Sequence, residues 1–312
     1  MHLDLVSFRG RASLVALAAL AVATGLAAGA AAWAQPPAVA PRAEGIAKHA
    51  FRWVRTEGGG LALAATVEPH PGWHVYWRNP GDSGDAPSFE LTLPAGWSAG
   101  PTVFVRPEAA IVEDSVFYGY SRPVTYLVPV RPGPEPGAPA PNATWKVTAK
   151  VMACKGMCVI ATLSGSGAWP PPTGDGAPVQ LSGGSFEGRS LPLTAEAAGV
   201  TARLEGNQVT IEGPARNRRA ARFIPDAVPG MQVALPEGKA AVEGTVDGDR
   251  FRIRFPLETP GEGAGQPAVA GLVLLGNEPA DPCVWLSVPQ PTPAGTAGSA
   301  GGGASAAPAP AK

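Results

Sequence analysis

Apolar residues recur along this chain in short runs, separated by glycine and proline, with no stretch that keeps a helical period. Between residues 43 and 170 such runs fall at 50–54, 61–67, 73–77, 88–93, 123–130 and on both sides of 154–158. They are rich in β-branched and aromatic residues, which favours strands. Short strands with turns at close intervals are the pattern of an antiparallel sandwich. The Pro/Gly-rich stretch 131–141 reads as a long surface loop. A second punctuated zone at 170–184 marks a boundary, and 185–199 has room for a short helix. From residue 200 the β pattern returns, at 200–204, 208–212, 221–224, 231–235, 241–246, 250–255, 268–275 and 284–288, with Asp247-Gly248 as a hairpin signal. The pattern predicts an all-β chain with two antiparallel β-sandwich domains in tandem, at 43–170 and 200–290. A linker at 171–199 joins them, and a protease is expected to cut at the 170–184 break and release two stable pieces.

The ends change the picture. Arg9 and Arg11 precede an apolar, alanine-rich run at 14–32, and Ala32-Trp33-Ala34 fits a small-x-small cleavage site. Residues 1–34 are expected to be an export signal peptide, the alternative being an uncleaved membrane anchor. A proline-rich lead-in follows at 35–42, and 291–312 is a Gly/Ala/Pro tail with nothing to bury, expected to be disordered. Abundant alanine and glycine with few lysines fit a bacterial source, which places the exported chain in the periplasm, where disulfides persist. Net charge is −1 and the pI about 6.4. That balance gives no basic field for nucleic acid or an anionic membrane, so no nucleic-acid partner is expected.

The candidate chemistry lies in Cys154-Lys155-Gly156-Met157-Cys158, which holds two of the three cysteines. In an extended strand the two would sit about 13 Å apart, beyond disulfide reach. A hairpin turning on Lys155-Gly156-Met157 brings them opposite one another, with a glycine free to take positive φ. The bridge closes a ring so small that its chain-entropy benefit is only ~2 kcal/mol, little for a staple. Lys155 beside Cys154 is expected to favour its thiolate. The redox-active reading therefore leads. A structural disulfide and a metal site are the alternatives, the latter as a Cu(I) cluster of Met152, Cys154, Met157 and Cys158. Cys283 is left over and reads as a buried thiol at the start of a strand, an intermolecular bridge or a third redox thiol. His70 and His74 have a helical metal spacing, but Pro71-Gly72 forbids a helix between them. Nucleotide loops, paired catalytic carboxylates and a Ser/His/Asp order do not stand out.

Two further stretches are unusual: Gly72-Trp73-His74-Val75-Tyr76-Trp77-Arg78-Asn79-Pro80-Gly81-Asp82-Ser83-Gly84, and Glu113-Asp114-Ser115-Val116-Phe117-Tyr118-Gly119-Tyr120, an acidic-aromatic loop. Together with the cysteine hairpin, in this order, they resemble the N-terminal periplasmic domain of the thiol:disulfide interchange protein DsbD, and more closely its copper-suppressor relatives of the ScsB group. The resemblance covers residues 43–170 firmly and 200–290 more loosely. It implies immunoglobulin-like sandwiches, with Cys154 and Cys158 as the redox pair. It also implies a cap loop at Asp114 to Gly119 whose Phe117 and Tyr118 shield the pair, with Tyr76 on a strand nearby. Ordinary core is the alternative for these aromatics. Tyr118 and Tyr120 alternate with Phe117 and Gly119, so they cannot all face one core.

The implied activity is protein-disulfide reductase chemistry, with no cofactor beyond the redox-active disulfide. The implied partners are a membrane electron-transfer protein of DsbD type and periplasmic thioredoxin-fold or disulfide-bearing proteins. The chain departs from full-length DsbD in having no transmembrane electron-transfer domain and no thioredoxin-like domain, so electrons are expected from a separate protein. It also has three residues between the cysteines where the typical member has five. A copper-tolerance protein and a non-catalytic interaction module are the competing functions.

Overall fold

The structure, a computed structural model, describes residues 47–133, 140, 142–226, 233–257 and 267–289. The expected signal peptide, lead-in and C-terminal tail lie outside the described residues, as do most of the loop expected at 131–141 and the start of the strand expected at 231–235.

Among the described residues the first domain holds ten strands: β1 (Ala47–Arg55), β2 (Leu61–Pro69), β3 (His74–Gly81), β4 (Ser88–Thr92), β5 (Trp97–Ala99), β6 (Glu108–Val112), β7 (Ser115–Tyr120), β8 (Val124–Pro132), β9 (Thr144–Lys155) and β10 (Met157–Ala168). They form two antiparallel sheets, ordered β1-β2-β8-β5 and β10-β9-β3-β7-β6. β4 pairs the first half of β9 at Lys146 to Lys150, and β3 pairs its end at Ala153 and Cys154. In β9, Trp145, Val147, Ala149, Val151 and Ala153 are buried while the lysines and threonine between them are exposed, the period of a strand with one face on a core. Trp53 and Leu63 from one sheet and Trp145 and Val147 from the other meet in that core, with Trp169.

The second domain has β13 (Leu193–Thr194), α1 (Ala195–Ala198), β14 (Thr201–Glu205), β15 (Gln208–Pro214), β16 (Ala221–Pro225), β17 (Val242–Glu243), β18 (Thr245–Asp247), β19 (Arg250–Pro256), β20 (Pro267–Leu275) and β21 (Cys283–Pro289), after a two-stranded piece, β11 (Ser185–Phe186) with β12 (Arg189–Ser190). Its sheets are β13-β21-β20-β16-β17 and β14-β15-β19-β18. Phe223 and Phe255 stack between them at 5.0 Å. The short helix expected within 185–199 is there, capped by the Thr194 side chain and closed by Gly199 in the left-handed region. One pair, β13 with β21, is parallel, so the domain is not wholly antiparallel.

The stretch expected as a linker at 171–199 is built into the molecule. Val179 exchanges backbone bonds with Arg55 and Glu57, and Leu191 is wholly buried. Glu187 pairs with Arg52 and accepts from the Thr125 hydroxyl, laying the segment over the outer face of the first sheet. That face is small and closed, with Ala62 and Ala64 fully buried. The physical reason is apolar residues, Val179, Phe186 and Leu191, hidden among the prolines and glycines.

The described parts of both domains fall in one compact unit. Arg106, 2% exposed, reaches across the domains and donates to the backbone carbonyls of Leu275, Gly276, Asp281 and Pro282. A bulge in β3 makes a second tie: Asn79 donates to Pro225 O at 2.8 Å, and Arg78 pairs with Asp226 at 2.9 Å while lying over the Trp285 ring.

Candidate active site

Cys154 is the last residue but one of β9 and Cys158 the second of β10. They face each other across the ladder with Gly156 at the tip in the left-handed region. Their Cα atoms are 4.1 Å apart and the sulfurs are joined. The expected hairpin disulfide is present, with a turn tighter than expected because Lys155 pairs with Met157. The two sulfurs are unequal: Cys154 is 4% exposed, whereas Cys158 is exposed.

Register decides what stands beside them. His74 lies opposite Cys154, Tyr76 opposite Gly119, and Phe117 opposite Ala110. Side chains of paired residues share a face, so His74, Tyr76 and Phe117 collect on the outer face of the second sheet with the disulfide. Tyr76, Phe117 and Cys154 form a small cluster of their own, with Met152, Ala110 and Val112 against it. The His74 ring sits edge-on to Phe117 at 4.5 Å and to Tyr76 at 5.4 Å. The Tyr76 hydroxyl lies 3.3 Å from His74 Nε2 and 3.9 Å from Cys158 Sγ, and it also bonds Ser83. These residues line a cleft of about 300 Å³, with Glu113, Ser115, Lys155 and Met157 at its rim.

Two glycines permit this packing. A Cβ on Gly84 would lie 2.4 Å from the Tyr76 ring, and one on Gly81 would lie 2.1 Å from Val116 O. The second approach lets the end of β3 hold the neighbouring hairpin, since Asp82 also accepts from Val116 N at 2.8 Å.

The acidic-aromatic stretch expected as a loop is the β6–β7 hairpin. Glu113 and Asp114 both take left-handed φ at its two-residue turn, as a tight hairpin requires. Phe117, expected as part of the cap, packs against Cys154. Tyr118 does not. Being one residue further along a strand, it points to the opposite face, is 1% exposed, and meets Trp77 edge-on at 6.4 Å in the main core. Asp114 stands exposed at the turn. Tyr76 is beside the pair as expected.

Lys155 donates to Pro71 O at 3.3 Å. Of the sulfur quartet suggested for Cu(I), Met152 packs on the cluster, Met157 is 61% exposed at the tip, and the joined cysteines offer no thiolate. Cys283 is fully buried, its thiol near Ser190 O, and burial pushes its pKa up to about 12, so the bland expectation for it describes the structure.

His74 went unrecognised in the sequence as part of this site. Its ring is half-buried, and desolvation holds its pKa below the ordinary 6.5 against the opposing pull of Glu113 and Glu108. Burial likewise raises the Tyr76 pKa, keeping its hydroxyl protonated. The signal available was alternation: His74 and Tyr76 occupy the same face of any strand through 73–77.

The arrangement suits thiol–disulfide exchange: one sulfur open to attack, a second buried within bonding distance, and an aromatic shield. A family model described as "Thiol:disulfide interchange protein DsbD, N-terminal" matches residues 46–163. Among solved structures, the N-terminal periplasmic domain of ScsB from Proteus mirabilis is similar, with a TM-score of 0.53 and 15% identity, covering 79% of this chain and 94% of that one. At that identity the likeness speaks for the fold. No curated protein matches the chain. Residues 46–163 thus match the DsbD N-terminal family model, and the chain shares its fold with the ScsB periplasmic domain.

Proposed function

We propose that the protein works in the periplasm, passing electrons between a membrane transporter of DsbD type and partner proteins that carry disulfides, through Cys154 and Cys158. The observation that carries this is the unequal burial of the pair, Cys154 at 4% and Cys158 exposed in a cleft. In the reducing direction, the Cys158 thiolate attacks a partner disulfide. A Cys158–partner disulfide forms and one partner thiolate leaves. Cys154, as thiolate, then attacks Cys158 Sγ; the internal disulfide re-forms and the second partner thiolate departs. Two electrons pass to the partner, and the two protons given up by the cysteines are matched by two taken up by the partner thiolates. Reduction by the transporter reverses these steps. Phe117 over Cys154 limits attack on the inner sulfur.

The test pairs a titration with a trap. The disulfide should equilibrate with glutathione or dithiothreitol buffers at a potential above about −300 mV, where labile rather than structural bridges lie. Cys154→Ala should accumulate mixed disulfides through Cys158, and Cys158→Ala should not. A bridge that stays oxidised well below that potential, or trapping that ignores which cysteine remains, refutes the proposal.

A further inference from the structure

Beside the disulfide runs a short polar chain that the exchange steps above do not use. Cys158 Sγ is 3.9 Å from the Tyr76 hydroxyl, and that hydroxyl is 3.3 Å from His74 Nε2. We propose that His74 is the proton acceptor for Cys158, reached through the Tyr76 hydroxyl. This inference rests on the exchange reading and adds how the attacking thiolate is made. His74 acts through Tyr76 without touching the sulfur, so it is a positioning residue.

The step balances as a proton transfer alone. The Cys158 S–H gives its proton to the Tyr76 oxygen while the Tyr76 O–H gives its own to His74 Nε2. The products are a thiolate, an unchanged tyrosine and an imidazolium. When Cys158 next leaves as a thiolate, the same path returns the proton.

The surroundings fit each role. A neutral imidazole is needed as acceptor in the resting state, and desolvation favours it. The charged groups that face His74 are Glu113 from the β6–β7 turn, Glu108 from β6 and Lys155 from the end of β9. The two carboxylates steady the imidazolium once formed. Lys155 bonds Pro71 O, and with its positive charge at the rim it steadies the thiolate rather than the imidazolium. Ser83 bonds the tyrosine from the loop after β3 and completes its hydrogen bonding. The Phe117 ring, edge-on to His74, keeps the imidazole turned to Tyr76.

The experiment follows the reaction of Cys158 with iodoacetamide in the reduced full chain between pH 5 and 10, resolved by peptide mass spectrometry. With Nε2 replaced by an uncharged amide, His74→Gln should lower the rate at pH 7 by about ten-fold, one unit of apparent thiol pKa. The two proteins should converge near pH 10, where hydroxide removes the proton. His74→Phe, which keeps a ring against Phe117, should behave like His74→Gln, guarding against a packing effect. Tyr76→Phe should reproduce the loss, and the double variant should add nothing to it. An unchanged profile, a deficit that persists at pH 10, or additive losses overturn the relay. Iodoacetamide needs no partner protein, so these results stand apart from the trapping experiment. If trapping fails while the profile shifts as described, the partner reading falls and the relay stands.

Discussion

Phe117→Ala is the perturbation that separates a shield from a core residue. Phe117 is 5% exposed and packs against His74 at 4.5 Å, Tyr76 at 5.6 Å and Cys154. A buried Phe→Ala change costs about 3–5 kcal/mol, of which part is the penalty of a dry void. Here the void would join the existing cleft and fill with water, which puts the loss near the lower end, about 3 kcal/mol. For a chain of this size that lowers Tm by roughly 6–12 °C, which leaves the protein folded at 25 °C. The assay is alkylation of the reduced pair with iodoacetamide, reported as the ratio of modified Cys154 to modified Cys158. Cys158 is already exposed and serves as the internal reference. Uncovering Cys154 should raise the ratio at least about ten-fold, because reaction needs access as well as thiolate. Tyr118→Ala is the counterpart: it strikes the main core, should destabilise by about 3–5 kcal/mol, and should leave the ratio alone. If Phe117→Ala leaves the ratio at its wild-type value, or Tyr118→Ala raises it equally, the shielding argument is wrong.

Iodoacetamide at pH 8 should modify Cys158, and more slowly Cys154, in the reduced native protein and the third cysteine only after denaturation, because Cys283 is fully buried with its pKa raised to about 12; three adducts on native protein would contradict this. Arg106→Met removes a donor from four backbone carbonyls, of which Pro282 O keeps the Leu275 N–H, and should cost about 3 kcal/mol. It should also open residues 171–199 to limited proteolysis that the wild type resists, with equal cleavage of both proteins counting against the tie. Gly84→Ala must displace the Tyr76 ring, since its Cβ would lie 2.4 Å away and its φ is +96°. It should mimic Tyr76→Phe in the Cys158 pH profile at a stability loss of about 1–3 kcal/mol, and a wild-type profile would count against the relay through Tyr76.

Much of this site was legible in the sequence because its central feature is local. Cys154 and Cys158 are four apart with a glycine between, and chain geometry alone says that only a hairpin can join them. Short β-branched runs between glycines and prolines likewise announced an all-β chain, since strand patterning is read over a few residues at a time. The linker was misjudged because composition outweighed three apolar residues, Val179, Phe186 and Leu191, whose burial depends on a sheet face far away in the chain.

What the sequence by itself determined, then, is the hairpin, its disulfide and the strand-rich architecture, all consequences of spacing within a dozen residues. Tertiary structure alone decided which aromatics serve the sulfurs. Phe117 and Tyr118 are neighbours of similar character, and the sequence could not choose between them while their segment read as a loop. Pairing of β7 with β3 and β6 made it a strand, and the two-residue period then sent Phe117 to the cysteines and Tyr118 to the core. The same register set His74 opposite Cys154 and brought Tyr76 within reach of Cys158, a contact between residues 82 positions apart. Arg106 shows the rule at its strongest. Nothing around it in the sequence marks a buried charge, and it is tolerable inside only because four carbonyls of the second domain converge on it.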